Sequence, residues 1–185
     1  MGIGSMSYAF ASIHLRSIIG LSEVQVAWIM LVIAVVNICC GLLGGRLADL
    51  YGRKKVAVTA YLLQACVHAA SIFLCRTYFM IPLMIISNGL GFIGSPVFSA
   101  MITDVTDPAR QRECFSLMYL CNNIGVAIGP AIGGMLFYNH LEWTFVIQSS
   151  LVALGIVFFA LTARDSYSRS DALLAAAAQG QTLST

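Results

Sequence analysis

Charge is what this chain has least of. Its 185 residues include only 10 Lys or Arg and 8 Asp or Glu, while 59% are hydrophobic. Soluble domains carry roughly 25% charged residues, so a soluble fold of this size lacks the polar surface to cover its core. Other absences narrow the field. No G-x-x-x-x-G-K-[ST] or other phosphate loop occurs, which excludes ATP-driven pumping by this chain. No Ser–His, Asp–Asp or His–Glu pair has a catalytic spacing within the apolar segments, so the chain does not read as an enzyme. The six cysteines (Cys39, Cys40, Cys66, Cys75, Cys114, Cys121) lie in or beside apolar segments with no metal-ligand spacing. They read as buried, inert thiols. No metal or cofactor site is legible, and the net charge of +2 carries no sign of nucleic acid.

The long charge-free intervals are informative. Between Glu23 and Arg46 lie 22 residues without Asp, Glu, Lys or Arg, and between Lys55 and Arg76 lie 20. Arg76 to Asp104 encloses 27, Glu113 to Glu142 encloses 28, and Glu142 to Arg164 encloses 21. A helix needs about 20 mostly apolar residues to cross a hydrocarbon core of about 30 Å. Five such intervals predict an all-α integral membrane protein, a multi-span helical bundle over residues 1–163. Alternating segments of about ten residues, as in a membrane β-barrel, are not seen. The expected spans are Ser22–Leu47, Lys55–Cys75, Tyr78–Thr103, Phe115–Tyr138 and Trp143–Ala163.

The segment Gly2–Leu15 is apolar but reaches only about 20 Å as a helix. It lacks the charged leader and cleavage site of a signal peptide. It reads as the remnant of a first helix truncated at its start. Residues 164–185 are polar and then alanine-rich, a tail or the start of a linker.

Loop charge sets the orientation. One set of connections holds Arg46, Arg53, Lys54, Lys55, Arg110, Arg112, Arg164 and Arg169; the other holds Arg16 and Arg76. Positive residues accumulate on the cytoplasmic side, which places the 44–55 stretch, the 104–113 loop and the tail in the cytoplasm of a multi-pass cell (inner) membrane protein. Trp28 and Trp143 fall near the outward ends of their spans, where an aromatic belt would put them.

Residues 44–55, GGRLADLYGRKK, concentrate charge and glycine in a chain otherwise nearly free of charge. A tight turn with positive flanks explains Arg53, Lys54 and Lys55, but not Asp49. A carboxylate favours a helix N-terminus and arginines favour C-terminal carbonyls, so the stretch reads as an electrostatic latch between two helix ends. Gly52 suits a position of positive φ. A second pattern, Asn123 to Gly134, repeats glycine every four residues at Gly125, Gly129 and Gly133. That stripe lets helix backbones approach closely in lipid, and Pro130 removes one helical hydrogen bond.

Gly45, Leu47, Asp49, Gly52, Arg53 and Lys54 resemble the loop 2–3 signature of the major facilitator superfamily, G-x-L-a-D-x-x-G-R-[RK]. Gly125, Gly129, Pro130, Gly133 and Gly134 resemble its helix-5 motif, typical of proton-coupled drug exporters. The resemblance covers nearly the whole chain, as an N-terminal six-helix half built from two inverted three-helix repeats. It implies a secondary active transporter that moves small organic solutes or drugs by alternating access, as an exporter, with a second six-helix half from the same gene or a partner chain. Protons are the implied coupling ion. It implies that Asp49 contacts the other half, and that Arg53 pairs with Asp104 at the cytoplasmic end of helix 4. One departure is clear: Ile85 stands where many proton-coupled members carry an arginine. The alternatives are a half-size or truncated membrane protein that does not transport, or a half-transporter acting only as a dimer or with a partner.

Polar residues within the membrane are functional candidates by default. Asn37, Gln64, His68, Asn88, Asn122, Asn123 and Gln148 could line a midplane cavity, with Tyr8 and His14 of the first helix facing it; packing through interhelical hydrogen bonds is the competing role.

Overall fold

The computed structural model of the protein describes residues 10–137 and 140–162. Six helices follow one another: α1 (Ala11–Ser17), α2 (Glu23–Tyr51), α3 (Arg53–Leu74), α4 (Met80–Val105), α5 (Gln111–Phe137) and α6 (Leu141–Thr162). Five of them, α2 to α6, are long and apolar enough to cross a membrane. The all-helical bundle expected from the charge-free intervals is therefore what forms. Residues 2–9 of the expected first-helix remnant, including Tyr8, and the tail from 163 onward lie outside the described residues.

The helix ends differ from the expected spans by up to four residues, and the cause is systematic. Apolar length sets where a helix can cross lipid, but charged residues are good helix formers and need not end it. So α2 continues past Leu47 through Asp49 to Tyr51. Its 29 residues make a rod of about 43 Å, longer than the hydrocarbon core. Likewise α5 begins at Gln111 rather than Phe115. At its start α2 is closed by a capping box. Ser22 Oγ accepts from the Gln25 backbone N–H at 3.4 Å, and Gln25 Oε1 accepts from the Ser22 N–H at 3.0 Å, so two otherwise unpaired donors are satisfied.

α4 is the centre of the packing, lying against α2 on one side and α3 on the other, while α6 packs on α3. Glycines permit the close approach. A Cβ on Gly44 would stand 2.4 Å from the Ile93 carbonyl oxygen, so α2 and α4 meet backbone to backbone there. A Cβ on Gly94 would stand 2.6 Å from the Tyr61 ring. In lipid, helix association rests on such packing rather than on expulsion of water. At one end of the bundle Ala11, Leu15, Met80, Met84, Leu141 and Phe145 form a buried cluster. At the other, Ala48, Ala57 and Val97 do. The outer surface is apolar: Phe73, Met135 and Leu161 are 80% or more exposed, which suits contact with acyl chains. The thiols are not all interior as expected. Cys75 is buried, but Cys39, Cys66 and Cys121 lie on that outer surface, because in lipid an apolar side chain gains nothing by turning inward.

Candidate functional site

The charged stretch is not a loop. α2 runs to Tyr51 and α3 starts at Arg53, leaving Gly52 as a one-residue joint with φ 95° and ψ 136°. Only glycine adopts that backbone without strain. The helical hydrogen bonds reach the joint from both sides, Gly52 N–H to Ala48 O at 3.0 Å and Val56 N–H to Gly52 O at 3.2 Å.

The charges around it have distinct fates. Arg53 turns back onto α4: its guanidinium pairs with Asp104 and donates to the Ala100 carbonyl at 3.3 Å. Both side chains of that pair are largely covered, at 18% and 28% exposure. The structure thus brings together the two residues that the resemblance links. Lys54 and Gly45 are half-buried. Asp49 is exposed and forms no side-chain hydrogen bond or ion pair among the described residues. Its position corrects the electrostatic argument made from sequence. Asp49 lies in the last turn of α2, and Arg53 to Lys55 lie in the first turn of α3. Both placements oppose the helix-dipole preference, so the dipoles do not account for these charges.

At the opposite end two exposed pairs tie neighbouring elements, Arg16–Glu23 at 2.7 Å and Arg76–Glu142 at 2.9 Å. The hydrogen bond and charge of Glu142 hold the Arg76 guanidinium above its usual value. Nearby, the buried His14 bonds through Nε2 to the Cys75 carbonyl at 2.6 Å and meets the Phe145 ring edge-on at 6.0 Å. The bond fastens α1 to the end of α3.

Between the two ends, α3 presents Tyr61, Gln64, His68 and Ser71 at helical spacing, one above another. His68 Nε2 lies 3.1 Å from Ser87 Oγ of α4, and Gln64 Nε2 donates to the Ser87 carbonyl at 3.0 Å. α3 therefore grips one residue of α4 by both side chain and backbone. A small pocket opens beside this grip, with about 20 Å³ available to the centre of a water molecule. Its polar lining is His68, Ser71, Ser87 and Asn88, with Ala11 of α1, Met84 of α4 and Phe145 of α6 among its apolar lining.

Of the seven residues expected along a cavity, His68 and Asn88 share that pocket, and Gln64 adjoins it through Ser87. Asn37 of α2 and Gln148 of α6 are buried, with the Asn37 amide oxygen unpaired. Asn122 and Asn123 are exposed on α5. On the same helix Gly125, Gly129 and Gly133 form a buried face, with Pro130 and Gly134 half-buried beside it. A Cβ on Gly134 would stand 3.3 Å from the Phe10 ring. Sequence reading missed Ser71, Ser87, Gly44 and Gly94. Serine and glycine are common packing residues in lipid, and only their partners across the seam distinguish these four.

Five crossing helices around a glycine-packed seam, with ion pairs confined to the two ends, define a multi-pass helical membrane protein. The chain belongs to the Major Facilitator Superfamily, whose family model matches residues 1–185. Similar proteins include the uncharacterized MFS-type transporter YhjO of Bacillus subtilis, 30% identical over 122 residues. That match covers 65% of this chain and 30% of the relative. A Na(+), Li(+), K(+)/H(+) antiporter of Planococcus maritimus is 28% identical over 71% of this chain and 33% of its own length. The multidrug resistance protein MdtH of Photorhabdus laumondii is 25% identical over 83% of this chain and 38% of its own length. The chain spans well under half the length of these relatives.

Proposed function

We propose that this bundle is one half of a secondary transporter that exports small organic solutes, drugs among them, by alternating access. A second six-helix half, from the same gene or a partner chain, supplies the other wall. The observation that carries this reading is the joint at Gly52. It fixes the end of α2 against α3, Arg53 ties α3 to Asp104 of α4, and Asp49 projects outward without a partner among the described residues. Asp49 then engages a helix of the second half in one conformation and releases it in the other. An exposed ion pair contributes about 0–1 kcal/mol, enough to tune an equilibrium between two nearly balanced states and too little to lock it. The multidrug resistance and cation/proton antiporter relatives support export in exchange for an ion. Protons are the ion proposed, although Ile85 leaves α4 without the arginine of many proton-coupled members. The bias of eight positive residues to two in the sequence supports a cytoplasmic Gly52 side in the cell membrane.

The test uses everted membrane vesicles containing the protein expressed from its complete reading frame. Energised vesicles are expected to accumulate a lipophilic dye, and Asp49→Asn to slow that accumulation with membrane insertion unchanged. Equal flux in the variant removes the gating role. No flux for any of a panel of organic solutes, with insertion intact, is the behaviour of a non-transporting membrane protein and overturns the proposal.

A further inference from the structure

We infer that the pocket between His68 and Ser87 binds ordered water that joins α3 to α4. Size and chemistry agree on this occupant. A buried water needs roughly 10–15 Å³ of space swept by its own sphere and two to four polar partners, and the pocket leaves about 20 Å³ free for the water's centre, room for at least one. Most of the donors on its polar groups are engaged with the protein. Ser71 Oγ donates to the Val67 carbonyl at 2.9 Å, and Asn88 Nδ2 donates to the Met84 carbonyl at 2.9 Å. Ser87 Oγ is engaged with His68 Nε2 at 3.1 Å. What remains is mainly acceptor capacity, on Ser71 Oγ, Ser87 Oγ and the Asn88 amide oxygen, with the second Asn88 amide N–H left as a donor. A water molecule brings two protons to such a set and satisfies it.

Other occupants fit less well. A solute of several heavy atoms exceeds the space. A metal cation or ammonium would bring charge into the membrane interior with no carboxylate in the lining to offset it. A dry pocket would leave that acceptor capacity unused, whereas a water adds hydrogen bonds to it. Beside the polar groups, Met84, Phe145 and Ala11 supply an apolar part of the lining. The proposal stands on the geometry of α3 and α4 and is independent of whether the protein transports.

Hydroxyl-radical footprinting with X-ray pulses in H₂¹⁸O tests it on the full-length protein in nanodiscs. Radicals form from bound water and oxidise side chains beside it. Three methionines are almost equally buried: Met80 at 2%, Met84 at 6% and Met101 at 5% exposure. Met80 and Met84 line the pocket and Met101 does not. The expected result is ¹⁸O incorporation at Met80 and Met84 but not at Met101. Ser71→Val, which replaces an acceptor by a methyl group, is expected to abolish it, and Asn88→Leu gives the same readout if the first variant fails to insert. Met80 and Met84 as silent as Met101, or labelling undiminished in a folded variant, overturns the proposal. Dye flux fails or persists separately from either result.

Discussion

Gly44 and Gly45 are neighbours on α2 with opposite packing, and that contrast can be measured. An alanine Cβ at 44 would sit 2.4 Å from the Ile93 carbonyl oxygen, 2.9 Å from its Cα and 3.0 Å from its carbonyl carbon. All three atoms are backbone, so no side-chain rotation relieves the contact. α2 and α4 must part by about 1 Å to restore ordinary van der Waals distance, and a gap of that size forfeits roughly a quarter to a half of each contact across the seam. Overpacking of this kind costs about 1–3 kcal/mol. At 45 a Cβ meets nothing within 4 Å. Both substitutions gain up to about 1 kcal/mol of helix propensity, which cancels in the comparison. Gly44→Ala is therefore expected to be less stable than Gly45→Ala by about 1–3 kcal/mol, with Gly45→Ala equal to or above the parent. The assay is reversible unfolding of the purified protein in mixed micelles, followed by circular dichroism. Equal stabilities, or Gly45→Ala the weaker of the two, would refute the backbone-contact reasoning.

Gly52→Ala forces a side chain onto φ 95°, ψ 136° and should destabilise by about 1–3 kcal/mol, read in the same unfolding assay. Arg53→Asp and Asp104→Arg should each impair dye flux, and the double exchange should recover part of it; a double variant no better than the singles would show that the ion pair is not what matters. His14→Leu removes the bond to the Cys75 carbonyl and leaves that buried acceptor unpaired, for a loss of about 1–3 kcal/mol in unfolding free energy.

The spans were legible because crossing lipid demands an apolar length that nothing else in the sequence imitates. Their ends were not, since the charge at Asp49 suggests a loop when only Gly52 breaks the helix. Which way each polar residue faces was also hidden. In a water-soluble helix an apolar stripe betrays the core; in lipid both faces of α4 and α5 are apolar. Nothing in the sequence separates Asn88, which lines the pocket, from Asn122 and Asn123, which are exposed on α5. The pairing of Arg53 with Asp104 was reached only through a family resemblance, since 51 residues of chain separate the two.

The joint at Gly52 also acts as a leash. With one residue between them, the Cα atoms of Tyr51 and Arg53 can never stand farther apart than about 7 Å, twice the reach of an extended residue. However far the opposite ends of α2 and α3 swing, their tips at Gly52 stay together, like the two legs of a drawing compass held at the pivot. A passage wide enough for a solute therefore cannot open between these two tips. Any opening at that end must be formed by other helices.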